Sequence, residues 1–353
     1  MVAVRLAAEV GAGHRAEADR AAKDLRDLSD LSEADVLSIL PVLSAHGRND
    51  IALGALERVR ARGLASADGL QRLGAAYEAA GRLDAARDAL EAAAAARPPS
   101  VALLLDLARV AQQARDLHGA LGYLAHAREL DPSDARVHFL FGMVCVELDL
   151  GVEAYQALKE AVRLDPGNAA INYAMGAVAL HRRDATEAVP FFRKYAELVP
   201  GDPRGPLAVG MAWVKGGEFA SARPELERAA ASDTTAAAAD YFLARIARDE
   251  NDLDRAMGLV EKALAREPAY ADAWAERGII HLRQRDLPQA EKDLQKCLEL
   301  DPDNYLGNLN LLALYQRTKD ARQQAQALRV KDLDAAREVK TEEFRRVIRV
   351  QPE

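Results

Sequence analysis

The chain has 353 residues, a formal net charge of -8 at pH 7, half of its residues hydrophobic and only 5% aromatic. That acidic balance supplies no overall basic field for nucleic acid or anionic lipid. The two cysteines, Cys145 and Cys297, are too few and too far apart for a disulfide framework, and no CxxC or HExxH spacing offers a zinc site.

Residues 1–9, MVAVRLAAE, are broken by charges before an apolar segment can form, so no signal peptide is expected there. No later stretch approaches the ~20 apolar residues of a membrane helix, so membrane insertion is not expected. The expected location is cytoplasmic, or periplasmic if a signal peptide has been removed. Residues 14–30 read as a lone amphipathic helix. Residues 33–66 keep Ala52, Leu56 and Val59 in phase with the period that begins at residue 67, but Pro41 falls inside the first helix of that stretch and is expected to kink it. Residues 1–66 are therefore read as an N-terminal helical cap containing a degenerate repeat.

From residue 67 onward the chain is periodic. Pro98, Pro132, Pro166, Pro200, Pro268 and Pro302 fall on a 34-residue grid, with Thr234 in the one exceptional slot. Motifs such as Asp131-Pro-Ser-Asp stop one helix and cap the next. Ten residues past successive slots stand Gly74, Ala108, Gly142, Gly176, Gly210, Ala244 and Gly278. Twenty-two past them stand Ala86, Ala120, Ala154, Ala188, Ala222, Ala256 and Ala290, and four further on a large apolar residue recurs from Leu90 to Leu328. Small residues on two successive helices let the backbones cross closely, and the large residue fills the space beside the crossing. Turn residues between the helices include Gly81, Asp116, Asp184, Gly216-Gly217 and Asn251-Asp252. The predicted units are 67–100, 101–134, 135–168, 169–202, 203–236, 237–270, 271–304 and 305–338. The last carries Leu312 and Gln324 in the small slots, as expected of a terminal cap. Residues 331–348 read as helix, with Phe344, Val347 and Ile348 covering the apolar end of the stack, and 339–353 as a capping tail.

A 34-residue helix–turn–helix period with these small residues and a junction proline resembles the tetratricopeptide repeat. Trp274 followed by Gly278, Ala290 and Pro302 is the nearest single match. The resemblance implies an all-α, right-handed superhelical solenoid whose first helices line a concave surface. It implies a protein or peptide partner. The Lys and Asn set with which some relatives grip a terminal carboxylate is missing, since Gln71, Leu105, Phe139, Ala75, Arg109 and Met143 stand there. Only Asn310 occupies the slot of the repeated asparagines found beside sugar-transferring enzymes.

Nothing in the sequence converges on a catalytic site. There is no GxxxxGK[ST] loop and no GxSxG elbow, and no two histidines stand at i, i+4 with a carboxylate companion. The expectation is a non-enzymatic chain without cofactor or metal. The informative stripe lies seven, eleven and fourteen residues past each slot, facing the groove. Outer units place polar residues there: Glu78, Arg109, Gln112, Gln316. Central units place Phe139, Met143 and Val146, then Tyr173, Ala177 and Leu180, then Leu207, Met211 and Val214. Tyr241, Arg245 and Arg248 follow, with Arg204 and Lys215 near in phase. The residues seven past the slot are also placed to wedge between units. The stripe is expected to be an apolar trough with a basic end, receiving an amphipathic segment that bears a carboxylate. The competing reading buries it between successive hairpins. A scaffold that binds a protein partner is the expected role, with the recognition arm of an enzyme or cell-envelope assembly machine as the alternative. Richness in Ala and Arg suggests a bacterial source. The sequence fixes neither partner nor oligomeric state.

Overall fold

A computed structural model describes residues 2–14, 16–21, 32–63, 65–181 and 185–335. Among them every regular element is helical and no strand occurs. The chain divides into two compact units, Met1–Leu148 and Asp149–Glu353, the division falling inside the 135–168 interval.

The first unit contains α1 (Val2–Gly11), α2 (Glu33–Ala45), α3 (Asn49–Ala61), α4 (Ala67–Ala79), α5 (Leu83–Ala96), α6 (Val101–Gln113), α7 (Leu117–Leu130) and α8 (Ala135–Glu147). The second contains α9 (Gly151–Leu164), α10 (Ala169–His181), α11 (Ala185–Leu198), α12 (Arg204–Lys215), α13 (Phe219–Ala230), α14 (Asp233–Asp249), α15 (Leu253–Arg266), α16 (Ala271–Gln284), α17 (Leu287–Leu300) and α18 (Tyr305–Thr318), after which 323–335 is again helical. Within each unit consecutive helices pack as hairpins, and each hairpin rests on the next. Six of the eight predicted unit starts coincide with a helix start. The expected lone helix at 14–30, Asp184, and the covering residues Phe344, Val347 and Ile348 lie wholly or partly outside the described residues.

The crossing residues do what their size dictates. All seven alanines from Ala86 to Ala290 are completely buried, and Leu90, Leu124, Leu158, Phe192, Leu226, Val260 and Leu294 are buried beside them. A Cβ built on Gly278 would lie 2.8 Å from Leu294, and one on Gly176 2.7 Å from the Phe192 ring, so backbone approach sets these glycines. Cys145 and Cys297 are buried, and burial pushes the Cys297 thiol up to about 12.

Two regularities were invisible in the side chains. Among the described residues, the helix-to-helix turn holds a left-handed residue at one phase: Gly47, Gly81, Arg115, Asp149, Gly217, Asn251, Arg285 and Lys319. Three of these, Arg115, Arg285 and Lys319, carry no sequence signature of a turn, because the backbone demands the conformation whatever side chain is present. Six residues past four of the six junction prolines, a polar side chain meets that proline's carbonyl, whereas Leu104 and Pro206 stand at the other two. His138 Nε2 lies 2.9 Å from Pro132 O, Asn172 and Asn308 donate at 3.0 Å to Pro166 and Pro302, and Trp274 donates at 2.8 Å to Pro268.

The exceptional slot at Thr234 has a visible result. Without proline to stop it, α14 begins at Asp233, four residues ahead of the predicted unit, and runs for 17 residues. The position that meets a proline carbonyl in four other units is here Asp240, buried, 3.5 Å from Arg266, with its carboxyl raised by burial. Pro41 does not end its helix: α2 continues through it to Ala45.

Candidate functional face

The residues of the expected groove stripe fall in both units. In the first unit, Phe139, Met143 and Val146 lie along α8; Phe139 and Met143 are half-buried and Val146 is 43% exposed. The neighbouring first helices of that unit present a different surface. Gln71 donates to Asp106 at 2.8 Å, Arg109 pairs with both Glu78 and Asp106, Gln113 donates to Glu78 at 2.7 Å, and Gln112 donates to Glu147. These polar stripe residues are satisfied by one another, from helix to helix.

In the second unit the stripe is apolar. Tyr173 on α10 is half-buried and edge-on to Phe192 and Tyr195, at centroid distances of 5.5 and 4.9 Å. Tyr195 in turn donates to Asp202 at 2.6 Å. Arg204 also binds Asp202 and holds that carboxyl well below the usual carboxylate range. Leu180, Leu207 and Met211 are half-buried, and Ala177 is exposed. Lys215 Nζ on α12 donates to the Leu180 carbonyl at 2.5 Å, which ties the C-terminal ends of α10 and α12 together.

Two stripe residues are turned inward. Val214 is 7% exposed and clusters with Leu226, Leu243 and Ile246; Tyr241 is 4% exposed and packs on Tyr270 and Phe242. For these two the packing reading is the one observed. Burial pushes the Tyr241 phenol up to about 12. The stripe position fourteen past the slot is next to the packing position thirteen past it, so a small turn of the helix moves it inside.

The arginines are largely engaged already. Arg248 Nε lies 3.2 Å from Glu276 Oε1 and its Nη2 lies 3.1 Å from Asp249, while Arg283 donates to the Arg248 carbonyl. Glu276 is itself buried, and burial raises its carboxyl despite Arg248 and Arg245. Arg245 stands over Tyr241 and Phe242, 5.7 and 5.5 Å from the ring centroids. The basic end thus meets carboxylates of its own chain at Arg248, which the sequence pattern did not reveal, and Arg245 is backed by aromatic rings.

Among the described residues, no group of three His, Cys, Asp or Glu could hold a metal, and no helix is long and apolar enough to cross a membrane.

Comparison with solved structures gives the same architecture. A tetratricopeptide repeat protein from Parabacteroides merdae aligns over 71% of this chain and 98% of its own, with a TM-score of 0.59 and 19% identity. The Cut9–Hcn1 hetero-tetramer of the APC/C aligns over 85% of this chain and 60% of that chain, with a TM-score of 0.52 and 15% identity. PilF of Pseudomonas aeruginosa aligns over 59% of this chain and 94% of its own, with a TM-score of 0.49 and 25% identity. The first two likenesses are of fold. No curated protein matches the sequence. Two family profiles, both described as tetratricopeptide repeat, match: one at residues 271–304, the other at 39–101, 105–169, 153–203 and 209–266. With most of its length matched in this way, the chain belongs to the tetratricopeptide repeat family.

Proposed function

We propose that this chain is a non-enzymatic scaffold that receives a segment of a partner protein on the first-helix face of its second unit. Tetratricopeptide repeats generally mediate protein–protein interactions, and the fold is typically non-catalytic. The observation that carries the finer reading is the half-buried set Tyr173, Leu180, Leu207 and Met211 on two tied helices. Partly exposed apolar residues of this kind gain by being covered, and methionine adapts to the side chain that covers it. An amphipathic helix or extended segment fits such a face, with its acidic end toward Arg245. Phe139, Met143 and Val146 form an apolar patch on α8 of the first unit.

The test is recovery of cross-linked partner by the intact chain and by Met211→Glu, Leu180→Glu and Met143→Glu variants, alongside their melting temperatures. The expected result is unchanged melting with at least a ~10-fold loss of partner for Met211→Glu and Leu180→Glu, since a carboxylate on a covered apolar face is left unpaired. Loss of binding only in step with loss of folding would defeat the groove reading.

A further inference from the structure

A second opening lies in the first unit, where the repeat pattern breaks down. Leu40 on α2 occupies the crossing slot that holds glycine or alanine in the next seven units, so α2 and α3 cannot approach as closely as the later pairs. The next residue, Pro41, has no N–H to return to the preceding turn. Opposite them, α4 presents Ala75, Ala76 and Ala79, too short to fill the gap. The result is a cleft of about 420 Å³, with Leu40, Pro41 and Leu56 on one wall and the three alanines on the other. Cavities of this size fall within the range of roughly 300–1,000 Å³ used for ligand pockets.

Among the described residues, one charge at its edge is unpaired. Arg72, exposed and lining the cleft, has no ion-pair or hydrogen-bond partner among the described residues. Asp68 is engaged by Arg97 at 2.6 Å, Glu57 by Arg82 at 2.8 Å and Glu78 by Arg109, while Glu33 accepts from Ser66. An apolar recess with a guanidinium at its mouth that pairs with none of the described residues is complementary to an apolar group that carries an anion nearby.

We infer that this cleft docks a bulky apolar side chain of a partner-protein segment whose carboxylate, within one helical turn, pairs with Arg72. The site is separate from the Tyr173–Met211 face. Glutamates introduced at Leu180 or Met211 leave it intact, so failure of either reading is distinguishable from failure of the other.

The experiment selects a displayed random dodecapeptide library on the intact chain and measures the affinity of recovered peptides by fluorescence anisotropy. The variants are Ala75→Leu, which fills the cleft from an exposed position, and Arg72→Glu, which inverts its charge. The expected outcome is recovery of peptides pairing Leu, Phe or Met with Asp or Glu. Their affinity falls at least ~10-fold in each variant, a loss of about 1.4 kcal/mol, while Ala75→Leu melts at or above the wild-type temperature. Four results would overturn the proposal: no peptides recovered, peptides that bind both variants as well as wild type, dodecanoate binding in place of any peptide, or wild-type self-association that Ala75→Leu abolishes. The last two would assign the cleft to a free amphiphile or to a second copy of the chain.

Discussion

The hairpin α16–α17 and the pair after it, α18 with 323–335, occupy successive 34-residue intervals of one unit, yet only the first closes. Gly278 and Ala290 of the first become Leu312 and Gln324 in the second, Glu276 becomes Asn310, and Cys297 becomes Lys331. The consequence is read at one residue: Leu294 is completely buried, while Leu328, 34 residues on, is 58% exposed. The second helix of the last pair starts at 323, two residues later than a 34-residue step from Leu287. It meets α18 through an amide instead, Gln326 donating to Asn308 Oδ1 at 2.8 Å and Val330 taking the buried position. At this end of the chain the loss of both small crossing residues goes with an exposed Leu328, whereas Leu56 in the first unit stays buried with Leu40 in the first crossing slot and Ala52 in the second.

The largest effect that would break this comparison is expected at the large residue. Leu294→Ala should cost about 2–5 kcal/mol of unfolding free energy, the usual range for a buried leucine. Leu328→Ala should cost no more than ~0.5 kcal/mol, as at other exposed sites. Equal losses in urea melts of the two variants would remove the distinction. Next in size, Gly278→Leu should destabilise by about 1–3 kcal/mol through overpacking against Leu294 and expose that leucine as Leu328 is exposed. Retention of the wild-type melting midpoint would show that the crossing tolerates bulk.

The smallest effect sharpens the comparison at Glu276, whose counterpart Asn310 only donates to the Leu306 carbonyl of its own helix. Burial raises the Glu276 carboxyl above its ordinary value of 4.5, so the folded chain takes up this proton before the unfolded chain does. Protonation therefore favours the folded state as pH falls from 7 through the raised value, and the gain is complete below 4.5. Wild type should gain stability relative to Glu276→Gln on acidification, as followed by thermal melts between pH 7 and pH 4.5. A difference independent of pH would show that the carboxyl is not raised.

Most of the architecture was legible in the sequence because it is written in residues with no substitute. Proline at a helix junction and alanine at a crossing act through sterics, so Pro268, Ala290 and Pro302 announce their unit without help from context. The missing proline at Thr234 was visible too, but not its result, since whether a helix runs on depends on what the preceding turn offers. The face was less legible. Met211 and Val214 look alike in the pattern, three residues apart on α12, yet Val214 joins Leu226, Leu243 and Ile246 while Met211 stays partly open. The engagement of Arg248 with Glu276 could not be read from spacing alone, because the two lie on different helices and meet only once the hairpins stack.

The left-handed turn residue, tolerated as arginine, aspartate or lysine at Arg115, Asp149, Arg285 and Lys319, has a consequence for how such a chain can change length. Excising or duplicating 34 residues, wherever the splice is made, returns every capping, crossing and turning position to its proper phase. An edit one residue shorter swings everything downstream about 100° around its helix axis and aims the oily stripe at water. Recombination can therefore lengthen or shorten this protein in whole periods, with no demand that the joints be rich in glycine.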